Sequence, residues 1–301
     1  MSGLEKQLLK ACENGNLEKV QQLLTNPQIN LNCKEEGNYL KGTPIFLACE
    51  KGHHEIVALL LNDERIEVNQ LGRYGKTPLG IACLRGHIEV VKLLLNDQRV
   101  DINKVDSNGC SPLFLTCTHR EIEILKLFLK EKRVDVNKGD TKHGWTPFFI
   151  ACDYKFIEIV RLLLNDMRVD VNQPDNEDGA TPLHNLCWSG KVEMVICLLE
   201  SGRDFNLNAI DHDGKTPIDI AREDNEDLAG DFEYRDRDKN CAKIVELFEP
   251  FEVDPIEARV QLRIRLGLAG KIDLFCPPLS LFFLANFFFI FKMVMLLLCM
   301  Q

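Results

Sequence analysis

Apolar residues recur along the chain in short blocks with a helical period. In the clearest, Ile88, Val91, Leu94 and Leu95 fall at i, i+3, i+6 and i+7, one buried stripe, while Glu89 and Lys92 point outward. Ahead of this block lies a shorter apolar run, Leu79-Gly80-Ile81-Ala82-Cys83, that closes in Ala-Cys and is separated from the block by a break at Arg85-Gly86. The same sequence of events repeats along the chain, so the pattern predicts units of two short helices each. A Thr-Pro or Ser-Pro pair opens the first helix, with proline at 44, 78, 112, 147, 182 and 217, a spacing of 34 or 35 residues. Proline suits the first helical position, where its missing N–H would have no partner, and the residue before it sits where an N-cap belongs.

Between units runs a polar stretch rich in Asn, Asp and Gly, such as Asn103-Lys104-Val105-Asp106-Ser107-Asn108-Gly109. It is preceded by a Val-Asp-Ile-Asn entry that alternates like a short extended segment, and the whole reads as a hairpin-like loop projecting from the stack. At the turn between the two helices most units place Gly (15, 52, 86, 190), suited to a left-handed conformation, but the central units place Arg120 and Lys155. If that geometry is kept, each costs about 1 kcal/mol relative to Gly. A single unit cannot bury its own apolar stripe, so stacked units must share one continuous core with polar faces at the ends.

The run Gly75-Lys76-Thr77-Pro78-Leu79-Gly80-Ile81-Ala82-Cys83-Leu84-Arg85-Gly86-His87-Ile88-Glu89-Val90-Val91-Lys92-Leu93-Leu94-Leu95 resembles the helical pair of the ankyrin repeat almost position for position. The resemblance implies an all-α repeat solenoid, a helix-turn-helix stack with hairpin-like loops, over residues 1–250. Its units start near 4, 43, 77, 111, 146, 181 and 216, the first acting as a cap. In the last, Arg222 to Asn240 is a charged insertion, expected to form a loop. The resemblance also implies a non-catalytic scaffold that binds a protein partner on its concave side, formed by loop tips and first helices. Carried over by position, the partner-binding sites are Arg73, Tyr74, Lys76, Leu84, Arg85, Asn108 and His119, followed by Lys142, His143, Trp145, Asp153, Tyr154 and Trp188. Both tryptophans of the chain are among them, and Trp, Tyr and Arg are the types enriched in interface hot spots.

Charge narrows the choice of partner. The chain carries 46 acidic against 36 Lys and Arg residues, a net charge of −10, with no basic stripe of the kind phosphate neutralisation needs, so nucleic acid is not expected. The N-terminus lacks the apolar core of a secretory signal, which points to a cytoplasmic chain with reduced thiols. Six of the 12 cysteines (12, 49, 83, 117, 152, 187) occupy one equivalent position in the first helices and read as small buried core residues. No C-x-x-C pair, nucleophile triad or phosphate loop is present, so neither metal, cofactor nor enzyme activity is expected. His53, His87 and His184 read as scaffold histidines, and the chain as a monomer.

The repeat pattern stops near residue 250. Residues 251–273 read as an amphipathic helix made basic by Arg259, Arg263, Arg265 and Lys271, and residues 274–301 as a hydrophobic tail. Within it, Leu279 to Met300 has only Ser280, Asn286, Lys292 and Cys299 as polar members. As a helix it would span about 33 Å, enough to cross a bilayer core. The alternative functional expectation is therefore a tail-anchored membrane adaptor that recruits a cytosolic partner.

Overall fold

A computed structural model describes residues 1–34, 42–223 and 237–253 of the chain. The chain divides into two units, 1–246 and 247–301, and of the second only residues 247–253 are described. Residues 35–41, residues 224–236 of the charged insertion, residues 254–273 of the expected basic helix and the whole apolar tail lie outside the described residues. Among the described residues no helix is long and apolar enough to cross a membrane.

Fourteen α-helices and no strand occur among the described residues. They come in pairs: α1 (Gly3–Asn14) with α2 (Leu17–Leu24), α3 (Pro44–Lys51) with α4 (His54–Leu61), and α5 (Pro78–Leu84) with α6 (Ile88–Asn96). There follow α7 (Pro112–Thr118) with α8 (Ile122–Lys130), α9 (Pro147–Asp153) with α10 (Ile157–Leu164), and α11 (Pro182–Trp188) with α12 (Val192–Glu200). The last two are α13 (Pro217–Arg222) and α14 (Arg237–Val253). First helices pack on first helices from α1 through α13, and second helices on second helices from α2 through α12. The stack is an all-α solenoid, as the periodicity predicts. Helix α14 starts at Arg237, so the final insertion is shorter than the stretch to Asn240 read from the charge pattern.

From α3 to α13 each first helix is only about two turns long and would be marginal alone. Its start is fixed by a cap: Thr43, Thr77, Ser111, Thr146, Thr181 and Thr216 each accept the backbone N–H three residues on, with proline at the next position. Burial does the rest. Ile45, Phe46, Ala48 and Cys49 of α3 are fully enclosed, as are Val91 and Leu94 of α6 and Leu125 and Phe128 of α8. The equivalent cysteines 12, 49, 83, 117, 152 and 187 are buried and free. Burial pushes their thiols up, that of Cys83 to about 12, so they are held as inert thiols rather than nucleophiles.

The turn between paired helices links neighbouring units. Gly15 and Gly52 adopt φ of 75° and 77°, and a Cβ on either would come within 2.7 Å of the ring of His53 or His87 in the following unit. Those rings use Nε2 to reach the helix-end carbonyls of Glu13 and Glu50, each at 3.1 Å. Arg120 and Lys155 keep the left-handed geometry at φ 58° without being glycine. The following unit changes to suit: Phe156 replaces the histidine, and the Arg120 guanidinium lies over its ring, 5.7 Å from the centroid. A third non-glycine residue, Tyr74, also sits at positive φ (55°), in the 3₁₀ turn Arg73–Gly75.

The inter-unit loops differ from the extended entry that the alternation predicts. Val100 and Ile102 are buried around exposed Asp101, so the alternation of burial is real, but the backbone closes a turn, with Lys104 N–H donating to the Asp101 carbonyl and Asn103 N–H to its carboxylate. Two side-chain ladders join successive loops. Asn32, Asn69, Asn103, Asn137 and Asn172 each donate to a backbone carbonyl and accept a backbone N–H of the next loop, at 2.7–2.9 Å. Arg65, Arg99, Arg133 and Arg168 grip the acidic residue two positions earlier and reach back to a carbonyl of the preceding unit. Their guanidinium groups hold Asp63, Asp97, Glu131 and Asp166 below the usual carboxylate range. Arg203 makes the same reach without an acidic residue at that position, donating to the Leu164, Asp166 and Val169 carbonyls.

Two expectations follow. Replacing Lys155 by Gly removes the left-handed penalty and should raise stability by about 1 kcal/mol, read as a higher urea midpoint with unchanged slope. Arg120→Gly should gain less, because it also removes the guanidinium from the Phe156 ring; equal gains would sink this account. His184 supplies a pH test. It is 1% exposed, its Nδ1 accepts the Thr181 N–H and its Nε2 faces the Lys215 carbonyl at 3.1 Å, while burial holds its pKa below the ordinary value. The unfolded chain therefore takes up a proton first as pH falls from about 6.5, and stability declines from there toward the lower folded value. In His184→Gln, stability should fall less between about pH 7 and pH 5 than in the parent; an unaltered slope would refute the assignment.

Candidate partner-binding surface

The loop tips are built on a repeated aspartate. Asp106, Asp140, Asp175 and Asp211 each accept two backbone N–H groups of their own tip through one carboxylate oxygen, at 2.6–3.2 Å. One backbone pair closes each hairpin-like tip, such as Asp106 N–H to the Cys110 carbonyl at 3.0 Å and Asp175 N–H to the Ala180 carbonyl at 2.9 Å. Tip is then tied to tip. Ser107 donates to the Tyr74 carbonyl, Asn176 N–H to the His143 carbonyl, and His212 N–H to the Asp178 carbonyl, at 2.7–2.8 Å. The residues at the crests are carried on a fixed row beside the first helices.

The residues singled out by position fall into three groups on this row. Arg73, Lys76, Arg85 and Asp153 are engaged within the stack. Arg73 lies 3.6 Å from Glu13 and 3.4 Å from buried Glu50, which Arg85 also approaches at 3.7 Å. Lys76 is clamped to Asp106 at 2.8 Å, and Asp153 pairs with Lys191 at 2.7 Å. A second group is exposed but scattered: Tyr74 at 64% exposure, Asn108 and Lys142 at tips, and His119 at the end of α7, while Leu84 is half-buried.

The third group comes together. Trp145, Tyr154 and Trp188 line two adjoining stretches of one groove over the units of α9, α11 and α13, and His143 stacks behind Trp145. Trp145 stacks on Phe149 with centroids 5.3 Å apart and on His143 at 4.8 Å, and His143 Nδ1 lies 2.8 Å from a Glu177 oxygen. The larger stretch, about 480 Å³, has Trp145, Phe149, Trp188 and Ile220 along its floor and walls, and the smaller, about 380 Å³, runs from Trp188 past Tyr154 and Phe156. The indole N–H of Trp145 and the Asn185 side-chain oxygen are enclosed there without a hydrogen-bond partner among the described residues. Trp145 thus both packs against a neighbour and faces the groove.

Position alone missed Phe149, Asn185 and Ile220, which project from first helices, and it missed the rim. Asp175, Glu177, Asp178, Asp211, Asp213 and Glu223 surround the larger stretch, with Lys215 as the single ammonium. The signal was present, since Glu177, Asp178 and Asp213 stand between a loop aspartate and its glycine, the same tip positions that select Asn108 and Lys142. Among the described residues no group of His, Cys, Asp and Glu could hold a metal ion.

Comparison with known proteins adds the family. The model of ankyrin repeats in three copies matches residues 8–106 and 98–175, and a second ankyrin-repeat model, for many copies, matches 157–199. No curated protein sequence matches significantly. Among solved structures, the chain is similar to the ankyrin repeat domain of Bcl-3, described as a unique member of the IkappaB protein family. The two are 26% identical, with a TM-score of 0.65 over 72% of this chain and 94% of that one.

Proposed function

Because the chain belongs to the ankyrin-repeat family, whose members are protein-interaction scaffolds, we propose that it is a non-catalytic scaffold that holds a protein partner on the concave surface of loop tips and first helices. The observation that carries this reading is the aromatic groove: both tryptophans and Tyr154 converge on one recessed surface, with buried Phe149 backing Trp145. Exposed aromatic side chains of this size cost free energy in water and are the residues that dominate interface energetics when covered. The scaffold acts as a cytoplasmic monomer, and its acidic charge leaves no place for nucleic acid. For a protein partner isolated by pulldown, the double substitution Trp145→Ala with Trp188→Ala should weaken binding by more than about 2 kcal/mol, measured by titration calorimetry. Full affinity in a double variant with native circular dichroism would refute this reading.

A second reading, a membrane-anchored adaptor, is favoured by the sequence of residues 279–300 and adds a location to the same surface. Alkaline carbonate extraction should leave the N-terminally tagged full chain in the membrane pellet and release a version stopped at Leu274. Release of both would discard the anchor and keep the scaffold.

A further inference from the structure

The groove is charged as well as aromatic, and the charge is local. Six carboxylates face its larger stretch against the one ammonium of Lys215, and the smaller stretch carries Lys155 and the Asp153–Lys191 pair, whereas the recess at the other end of the stack is lined by Lys6, Lys10 and Arg73 with Glu13 as its acid. A uniformly acidic surface would follow from the net charge; a surface with opposite signs at its two ends does not. Several rim carboxylates are already engaged. Glu223 holds Lys215 at 2.8 Å, Glu177 faces His143, and Asp175 and Asp211 cap their own tips. Those caps are neutral N–H donors, and Lys215 is the cation that Asp211 and Asp213 feel. Asp178 and Asp213 make no side-chain hydrogen bond or salt bridge among the described residues.

Asp178 and Asp213 occupy the same place in consecutive tips, each just before a glycine at positive φ. Neighbouring units stack at about 10 Å, the packing distance of helices. Extended chain advances about 3.3 Å per residue, so three residues cover one unit. The same stretch is lined by Trp188 from α11 and by Trp145 from the unit before it, and indole surfaces accept either apolar side chains or the face of a guanidinium.

We infer that this groove takes an extended peptide segment of a partner protein that carries Lys or Arg at two positions three residues apart, with apolar side chains next to them. The inference rests on the concave-surface reading and gives that partner its chemistry. The two basic groups meet Asp178 and Asp213, and the neighbouring apolar side chains lie on Trp145 and Trp188. Both charges sit at a solvent-accessible rim, so binding weakens as salt screens them.

The test uses the full chain and a displayed library of random twelve-residue peptides selected at low salt. Selected peptides should be enriched in Lys and Arg over Asp and Glu, with basic residues paired three apart. Their binding should change the emission of Trp145 and Trp188, the chain's only tryptophans and hence a reporter of the groove itself. In Asp178→Asn with Asp213→Asn, affinity for a selected peptide should fall on the order of tenfold. Glu55→Gln with Glu158→Gln, the same change in charge at exposed positions on second helices, should leave it unaltered. A pool without basic enrichment, no selected binders, or full affinity in the Asp178 and Asp213 variant overturns the inference. A non-basic pool that still alters tryptophan emission rejects the basic partner alone and keeps the concave surface. Binding that leaves the emission unchanged rejects the concave surface with it.

Discussion

The structure depends on hydrogen bonds that cross from one loop to the next. In a solenoid of two-turn helices, packing alone leaves a sliding problem, because one apolar stripe looks much like another. The ladder of Asn32, Asn69, Asn103, Asn137 and Asn172 removes that freedom. Each amide reads one carbonyl and one N–H of the following loop at once, so a unit can neither slip nor rotate without losing both bonds. The arginine ladder adds a second point of reference behind the first, at the carbonyl ends of the preceding second helix. With the loops so registered, the tips stand in a row, and only a row can make a groove.

Fold and surface were not equally legible in the sequence. Thr-Pro at a fixed interval declares the start of a helix by simple chemistry, and the Ala-Cys run declares a face too crowded for anything larger. The left-handed turn at Arg120 and Lys155 could also be read, because glycine in the equivalent positions of other units states the geometry. The ladders were less visible although Asn103 and Arg99 recur as faithfully as Pro112. A polar residue in a loop carries no periodic burial signal, and its partner is a backbone group in the next unit, which no side-chain pattern reveals. The entry at 100–103 shows the same limit: alternation of burial marked the correct inward residues but could not distinguish a turn from extended chain.

For the surface, position identified where a partner could touch but not which positions remain free. Lys76 and Asp153 stand at variable sites of the repeat, yet both are used up inside the stack, each by a charged residue one unit away. Conversely Phe149 lies within an apolar run that reads as core, and it is buried, but its ring stacks on Trp145 and so reaches the groove as support. The tips of the α9 and α11 units are one residue longer between their aspartate and the helix cap, Asp140 to Thr146 and Asp175 to Thr181, than Asp106 to Ser111. The additional residue is accommodated outside the registered loop, leaving the ladder intact while the crest beside the tryptophans changes.

The orientation of the ladder bonds has a mechanical meaning. They lie between neighbouring units, along the direction in which the units follow one another, so tension applied to the array would load one junction at a time. Such an arrangement unzips at low force, unlike a sheared sheet in which many bonds must break together. A unit peeled from one end leaves the remaining junctions with their own bonds in place, so the array would lengthen in steps and could close again from the units still stacked.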